Sequence, residues 1–428
     1  MLDTESPDKL GMSTTRLQRV SDWLQNQTSG GRLAGASVLI SRRGKVAFFE
    51  SAGHADREQQ RKFARDSIVR IFSMTKPITT VAAMMLYERG LFQLDDPIAR
   101  YLPEFADTPV WCGGDADISV TEQQHKPITV RQLMNHTSGL TYEFMHSSPV
   151  DALYRARGIN FQSASENLGE MIKKLAEAPL MCQPGSQWNY SVATDVLGRL
   201  VEVWSGQNLR EFLINEILLP LKMHDTDFSV ANANTHRFSA MYGPSGGGGL
   251  GNVGRTDTTN DLTIKATMPL ELLDSSDSNS RFTQPALLYS GGGGLTGSID
   301  DYARFCQMLL NGGILDKVRL LSPLTVQYMC TNQLPDNRDM AAMGQPVWSE
   351  TNYDGIGFGL GFAVVLDPVK AHTLSSIGEC HWGGAASTFF WIDQKQELFT
   401  VLFTQLMPSS TYPLRRELRT LVYQSIVD

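Results

Sequence analysis

Residues 68–86 read IVRIF-SMTK-PITTVAAMML, an apolar run, a Ser-x-x-Lys motif and then an apolar helical pattern. Residues three apart on a helix share a face, so the amine of Lys76 is expected beside the hydroxyl of Ser73. Pro77 is compatible only with a first helical turn, which places Ser73 at the amino end of the helix. There the helix dipole and unpaired N–H groups favour the negative charge of an attacking alkoxide and its oxyanion.

The Ser-x-x-Lys motif is weak by itself, because residues 6–9 contain a second copy in a polar terminal segment. The apolar surroundings of Ser73 distinguish the two copies. Lysine has a reference pKa of about 10.4, so Lys76 can act as a base only if burial or neighbouring positive charge lowers it. The alternative is a capping serine beside a solvated lysine.

Two further segments carry candidate chemistry. Tyr190 precedes a helical pattern, and near Lys76 its proton would be easier to lose, which makes it a candidate base for Ser73 and then an acid for the leaving group. Trp382-Gly383-Gly384-Ala385 leads into a carboxyl-terminal strand, where glycines permit close approach and the next N–H can face an oxyanion. When each segment is considered alone, Tyr190 could instead be a packing tyrosine and the glycine segment a tight bend before an ordinary strand.

Composition restricts the classes of function. The chain has 428 residues, 42% of them hydrophobic, which is enough for a large core and more than one minimal domain. Lys plus Arg number 37 against 45 Asp plus Glu, a net charge of −8 that argues against nucleic-acid partners. Apolar runs fall short of the roughly 20 residues that span a bilayer. The first ten residues lack a signal-peptide pattern, so we expect a cytoplasmic protein without membrane contact.

The sequence predicts neither a metal nor another cofactor. The five cysteines form no C-x-x-C pair, so neither a disulfide framework nor a zinc site is indicated. Cys380 and His381 are adjacent and would point to opposite faces of a strand. Glycine runs at 246–249 and 291–294 lack the Lys-Ser/Thr pair of a phosphate loop, so they are interpreted as flexible or tightly packed backbone.

The order of patterns predicts an α+β protein. A helix capped by Ser13 precedes a hairpin with strands at 36–41 and 46–51, and the carboxyl end has strands at 387–392 and 398–403 before a helix at 413–426. Helical patterns lie between, at 79–89, 130–135, 166–178, 193–204 and 299–310. We expect a sheet domain from residues 1–76 with 285–428, a mainly helical region at 77–284 with long loops at 231–284, and the active site at their junction.

In this order, the motifs resemble the serine β-lactamase and penicillin-binding-protein superfamily, most closely the family VIII carboxylesterases related to class C β-lactamases. The resemblance extends over most of the chain. It implies a β-lactamase/transpeptidase-like fold, an antiparallel sheet formed by both chain ends and flanked by helices. The matching segments are residues 73–77, 86–90, 94–97, 133–140, 184–185, 190–191, 291–295 and 382–384.

The resemblance also implies roles for single residues. Ser73 would be the acylated nucleophile, Lys76 its base partner and Tyr190 the second general base and acid. The oxyanion hole would be the backbone N–H groups of Ser73 and Ala385. His136 belongs to a segment that is structural in the family.

Two positions depart from the β-lactamase pattern. Val192 stands where β-lactamases usually have asparagine, and Trp382 where they have the lysine that helps hold a substrate carboxylate. An indole is uncharged and forms an apolar wall, so a site lacking this positive group should favour neutral esters. The predicted substrate-binding residues are Trp382, Gly383, Gly384 and Val192.

These observations predict a serine carboxylesterase that cleaves short-chain esters, small-molecule substrates, through an acyl-enzyme on Ser73. Weak β-lactam hydrolysis would use the same machinery. The alternatives are an acyltransferase, a β-lactamase, a D-amino-acid peptidase, or a non-catalytic penicillin-binding-type sensor. Ser245 lies in a G-x-S-x-G match, but that nucleophile motif requires a strand-to-helix turn, and here it begins a glycine-rich loop. Oligomeric state and natural substrate are left open.

Overall fold

A computed structural model describes residues 1–246, 267–344, 353–409 and 411–428. The strands are β1 Gly35–Arg42, β2 Lys45–Asp56, β3 Arg61–Lys62, β4 Ile68–Arg70, β5 Val110–Trp111, β6 Thr121–Glu122, β7 Met241–Pro244, β8 Leu270–Asp274, β9 Thr296–Ser298, β10 Ile314–Leu315, β11 Val318–Arg319, β12 Ile356–Phe358, β13 Ala363–Val365, β14 Cys380–Gly383, β15 Phe389–Asp393 and β16 Leu398–Thr404. The helices are α1 Thr14–Ser29, α2 Thr75–Glu88, α3 Val130–Met134, α4 Pro149–Arg157, α5 Leu168–Ala176, α6 Ala193–Ser205, α7 Leu209–Leu213, α8 Ile299–Leu310, α9 Pro323–Met329, α10 Met340–Met343 and α11 Leu414–Tyr423.

The main sheet joins the two ends of the chain. Its strand order is β12-β13-β14-β15-β16-β1-β2-β3, and β1 pairs antiparallel with β16 from Ala36 opposite Thr404 to Arg42 opposite Leu398. Both central strands are buried along their whole length. The predicted antiparallel sheet from amino- and carboxyl-terminal segments is therefore confirmed.

Alternating side chains of the central strands pack on opposite layers. Val38 and Ile40 of β1 lie in a cluster with apolar residues of α1 and α11, whereas Leu39 belongs to the larger core that contains α2, α6 and α8. This period of two is what a strand buried on both faces requires. The sheet is thus flanked by helices on both faces, as the β-lactamase/transpeptidase-like fold implies.

The predicted elements occur, with shifted boundaries. The Ser13 side chain accepts a hydrogen bond from the Arg16 N–H at the start of α1, and the hairpin β1–β2 forms with β2 longer than expected. The helix predicted at 79–89 begins four residues earlier, at Thr75, so Pro77 lies in its first turn. From Thr75 to Leu86 every residue of α2 is buried, which is typical of a core helix.

The prediction of long loops at 231–284 is wrong for part of that segment. β7 and β8 form a two-stranded antiparallel sheet, from Met241 opposite Asp274 to Pro244 opposite Leu270. Its backbone continues onto the end of the main sheet, because the Tyr242 N–H donates to the Gln405 carbonyl at 2.9 Å. Polar composition gives no sign of such a tertiary contact. The remainder of the loop prediction, including residues 247–249 of the glycine run, falls partly on residues 247–266, outside the described ranges.

The division into a sheet domain and a helical region stays a prediction. No helix within the described ranges is both long and apolar enough to cross a membrane.

Candidate active site

Ser73 lies in a short 3₁₀ turn, Phe72–Met74, between β4 and the start of α2. Its side chain is partly exposed while its neighbours on both sides are buried. Phe72 has φ of 43°, a left-handed conformation that is strained for an aromatic residue, and its ring packs edge-on against Phe282 at 5.9 Å. Strained backbone of this kind is concentrated at functional sites, where it aims a side chain.

Lys76 is buried beneath Ser73, with 1% of its surface exposed. Its Nζ donates to Ser73 Oγ at 3.3 Å, to the Tyr142 hydroxyl at 2.9 Å and to the Gly292 carbonyl at 2.7 Å. Burial lowers the pKa of Lys76 from 10.5 to about 7. The condition stated above for a lysine base is therefore met, and the Gly291-Gly294 run is tightly packed backbone that supplies one of its acceptors.

Tyr190 lies on the other side of Ser73, and its hydroxyl donates to Ser73 Oγ at 2.6 Å. Its ring centroid is 4.6 Å from Lys76 Nζ. Burial raises the pKa of Tyr190, and the Ser73 and Trp382 side chains only partly oppose this. The suggestion that its proton is easier to lose is thus wrong for the free protein, because desolvation outweighs the neighbouring groups, and the phenol stays a proton donor.

Two polar residues that sequence reasoning missed complete the arrangement. Tyr142 accepts from Lys76, and Asp195 in the first turn of α6 is buried with its Oδ1 accepting from Ser290 Oγ at 2.5 Å and from the Gly292 N–H at 3.0 Å. Burial raises the pKa of Asp195, while its charge acts on Lys76 to raise that group's pKa. Asp195 shares a face of α6 with Arg199 and Glu202, so the helical pattern predicts a solvated carboxylate and gives no sign of its burial.

The loop after β14 is pressed against the segment that carries the serine. The Gly384 N–H donates to the Thr388 carbonyl at 2.8 Å, and a Cβ on Gly384 would lie 2.4 Å from the Ile71 carbonyl oxygen. Only glycine permits this approach. As a result Ala385 and Ser73, the predicted oxyanion donors, line the same cleft.

The cleft has a volume of about 1080 Å³ including its open mouth, and Ser73, Tyr190 and Trp382 all line it. The Trp382 indole packs against the rings of Tyr190 and Phe358, with ring centroids 5.5 Å and 5.2 Å apart. These contacts form the predicted apolar wall. Gly383 and Gly384 also lie at the wall.

Other candidates lie away from the reacting groups. Val192 is fully buried at the start of α6, outside the described cleft lining, so the predicted substrate contact is corrected to a packing role. His136 is buried, with its Nδ1 3.2 Å from Ser191 Oγ and its ring against Tyr190, which fits a structural residue. Ser245 is exposed in a turn after β7 and does not belong to the described lining.

The position of Trp382 carries no positive group, as expected, but positive charge lines the cleft elsewhere. Three guanidinium groups of α11 belong to its lining, those of Arg415, Arg416 and Arg419. Arg415 Nη2 lies 2.5 Å from where a Cβ of Gly383 would be. This charge comes from a helix that begins some thirty residues after Trp382, so the motif around Trp382 could not reveal it. The three arginines are nevertheless visible in the sequence LRRELR at residues 414–419.

The site has a serine at the start of a helix, and this serine is hydrogen-bonded to a buried lysine and to a tyrosine. Beside an antiparallel sheet, this arrangement defines a serine hydrolase with a β-lactamase-like fold. The chain belongs to the β-lactamase family, since the family model described as Beta-lactamase matches residues 20–424.

Relatives agree with this assignment. Esterase EstB of Burkholderia gladioli is 31% identical over 401 residues, which cover 92% of this chain and 91% of that protein. Monacolin J acid methylbutanoyltransferase of Aspergillus terreus is 30% identical over 361 residues, covering 80% and 78%. The solved structure of EstCE1, a hydrolase with promiscuous acyltransferase activity, has a TM-score of 0.76 at 27% identity and covers 96% of this chain and 99% of its own. The resemblance to family VIII esterases is confirmed.

Proposed function

We propose that this serine hydrolase is a carboxylesterase that cleaves short-chain esters through an acyl-enzyme on Ser73. The observation that carries the proposal is the contact of Ser73 Oγ with both Lys76 Nζ at 3.3 Å and the Tyr190 hydroxyl at 2.6 Å, in an open cleft. A nucleophile that touches both a base and a proton donor has what covalent catalysis of acyl transfer requires.

Acylation begins with Lys76 in its neutral form. Its amine accepts the Ser73 proton as Oγ bonds to the ester carbonyl carbon, and the carbonyl oxygen becomes an oxyanion. The N–H groups of Ser73 and Ala385 would stabilise that charge. The tetrahedral intermediate then collapses as the bond between the carbonyl carbon and the alcohol oxygen breaks. Tyr190 donates its phenolic proton to that oxygen, and Lys76 passes the proton it took from Ser73 to the Tyr190 oxygen.

Deacylation repeats the sequence with water in the position of the departed alcohol. Water gives a proton to Tyr190 as the phenol passes its own to Lys76, and the water oxygen bonds to the acyl carbon. Collapse releases the carboxylic acid and returns the proton from Lys76 to Ser73 Oγ. Apart from water, the cycle needs no further reactant.

An acyltransferase is the second candidate, because an alcohol can replace water in deacylation. The relatives support this: one is named as a methylbutanoyltransferase, and EstCE1 is described as having acyltransferase activity. A β-lactamase or D-amino-acid peptidase would share the acylation step, and a sensor would acylate without turnover.

The test uses p-nitrophenyl esters of increasing chain length, with Ser73→Ala as the test variant and Ser245→Ala as the control. We expect highest kcat/KM with short acyl chains, loss of turnover in Ser73→Ala and full activity in Ser245→Ala. Turnover retained by Ser73→Ala would overturn the proposal. If an added acceptor alcohol diverts the product to a new ester, the acyltransferase is favoured. Turnover of a chromogenic cephalosporin faster than any ester would favour the β-lactamase. A burst of product without steady turnover would favour the sensor.

The remaining expectations belong to the same proposal. The substrate would be a small ester, without nucleic-acid or membrane partners, and the location cytoplasmic. Cell fractionation tests the location.

A further inference from the structure

One carboxylate in the cleft takes no part in the acyl-transfer steps. Glu143 belongs to the lining and lies in the turn that follows Tyr142, and its backbone carbonyl accepts a hydrogen bond from Arg155. Arg155 also forms an ion pair at 2.8 Å with Asp151, a fully buried carboxylate. Among the described residues, no other residue forms an ion pair or a hydrogen bond with the Glu143 carboxylate. The backbone of Glu143 is thus held in place, while its carboxylate is left for another partner.

The surroundings of Glu143 make its negative charge costly. Burial raises the pKa of Glu143 to about 7, the charge of Asp195 acts in the same direction, and the charge of Arg155 opposes this rise only in part. A partly buried carboxylate is stabilised most by a cation in contact with it, because it has lost much of its hydration. A cationic group of a substrate would therefore be attracted to this position.

Asp195 adds a second carboxylate to the cleft. It belongs to the lining, and within the described chain its buried Oδ2 has no hydrogen-bond partner, whereas Oδ1 accepts from Ser290 and Gly292. Because Gly292 has no side chain, space remains beside Oδ2: a Cβ there would lie 2.5 Å from this oxygen and 3.0 Å from the Tyr142 hydroxyl. Lys76 opposes the charge of Asp195 only while it is protonated, and it begins the reaction neutral. The two carboxylates therefore act together on a cation in the cleft.

Aromatic rings make up much of the same lining. Tyr142 and Phe144 stack with their ring centroids 4.6 Å apart, and Phe161, between α4 and α5, also belongs to the lining. The faces of aromatic rings attract ammonium groups, including quaternary ones, so rings beside a carboxylate favour a cation further. The guanidinium groups of α11 line the cleft too and would repel a cation, which can therefore be held only near Glu143.

We propose that Glu143 binds an ammonium group of the substrate, so that the preferred esters are cationic. Glu143 would be a specificity-determining residue, with the acyl-transfer steps left to Ser73, Lys76 and Tyr190. This inference rests on the proposed function, because the ammonium group belongs to the ester that Ser73 attacks. It changes the expectation of neutral esters, which was drawn from Trp382, to one of cationic esters. The ammonium group can be on either side of the ester bond, and two matched substrate pairs distinguish the sides.

The members of each substrate pair have the same shape and differ only in charge. On the acyl side, p-nitrophenyl 4-(trimethylammonio)butyrate is compared with p-nitrophenyl 5,5-dimethylhexanoate. On the alcohol side, acetylcholine is compared with 3,3-dimethylbutyl acetate, and release of acid is measured by titration. The assays are run at pH 8, which is above the pKa of Glu143, so that its carboxylate is charged.

The variant is Glu143→Gln, and Glu177→Gln is the control, because Glu177 is exposed at the end of α5 and lies outside the described lining. In at least one pair, the wild-type protein should prefer the cationic ester. Glu143→Gln should lower kcat/KM for that ester roughly tenfold or more, as expected when a cation loses a charged partner in a partly buried site. The neutral esters should change about twofold at most, which also shows that the variant is folded. Glu177→Gln should change none of the four.

Two results would overturn the inference: no preference of the wild-type protein for the cationic member of either pair, or a ratio of cationic to neutral ester that Glu143→Gln leaves unchanged in both pairs. Binding of the products separates this inference from the proposed function. By calorimetry, 4-(trimethylammonio)butyrate should bind more tightly than 5,5-dimethylhexanoate, or choline more tightly than 3,3-dimethylbutanol, and Glu143→Gln should remove the difference. Equal binding within both product pairs would contradict the inference. That measurement needs no turnover, so it decides the ammonium site even if every ester is inert.

Discussion

Substitution of Gly384 by alanine tests how the oxyanion loop is positioned. The added Cβ would lie 2.3 Å from Thr388 Oγ1 and 2.4 Å from the Ile71 carbonyl oxygen, far inside van der Waals contact. The Ile71 contact is with backbone, so a rotamer change cannot relieve it, and the loop must move by roughly 1 Å. An error of that size in a reacting geometry costs about 10²-fold in rate, or about 2.7 kcal/mol in the activation free energy.

The assay is kcat with a saturating p-nitrophenyl ester, measured beside thermal unfolding. We expect kcat of Gly384→Ala to fall about a hundredfold, and the free energy of unfolding to fall by about 1–3 kcal/mol from overpacking. Gly169→Ala is the matched control: it lies in α5, where the nearest contacts of a Cβ are an ordinary 3.4 Å, so activity should be unchanged. A folded Gly384→Ala protein with wild-type kcat would refute the idea that close approach of this loop to Ile71 positions the oxyanion donors.

Three further predictions concern pH and stability. kcat/KM for a neutral ester should rise with pH through about 7, because Lys76 must lose its proton to act as base and burial lowers its pKa to about 7; a flat pH–rate profile would contradict this. Asp195→Asn should move this rise in kcat/KM to lower pH, since the Asp195 charge raises the pKa of Lys76. Glu143→Gln should leave the pH of the rise unchanged. Arg70→Ala should lower the free energy of unfolding by about 3 kcal/mol, measured by denaturant titration, because the substitution leaves Asp274 and the other buried polar partners of Arg70 unpaired. A loss below about 1 kcal/mol would contradict this prediction.

Local sequence patterns were sufficient for the elements whose residues are close in the chain. Ser73 and Lys76 are one helical turn apart, so the spacing alone places them together. Short β-rich runs next to polar turns identified the strands β1 and β16, although their pairing is between opposite ends of the chain. The resemblance to a known family supplied the link from this pair to Tyr190.

The rest of the site depends on contacts that no local pattern encodes. Lys76 meets Tyr142, 66 residues away, and the Gly292 carbonyl, 216 residues away. Arg415 reaches the cleft because α11, more than thirty residues after Trp382 in the chain, places its guanidinium beside Gly383 and over the Phe389 ring. Val192 was assigned to the substrate by its motif position, but the backbone turns its side chain into the core.

The claim that Ser73 is the acylated nucleophile is tested most directly by mass spectrometry of the trapped intermediate. The protein is mixed with a slowly hydrolysed activated ester, quenched in acid and digested, and the peptide that carries the added acyl mass is identified. We expect one acyl group on the peptide containing Ser73, and no adduct in Ser73→Ala. An adduct on another serine, or the same adduct in Ser73→Ala, would contradict it.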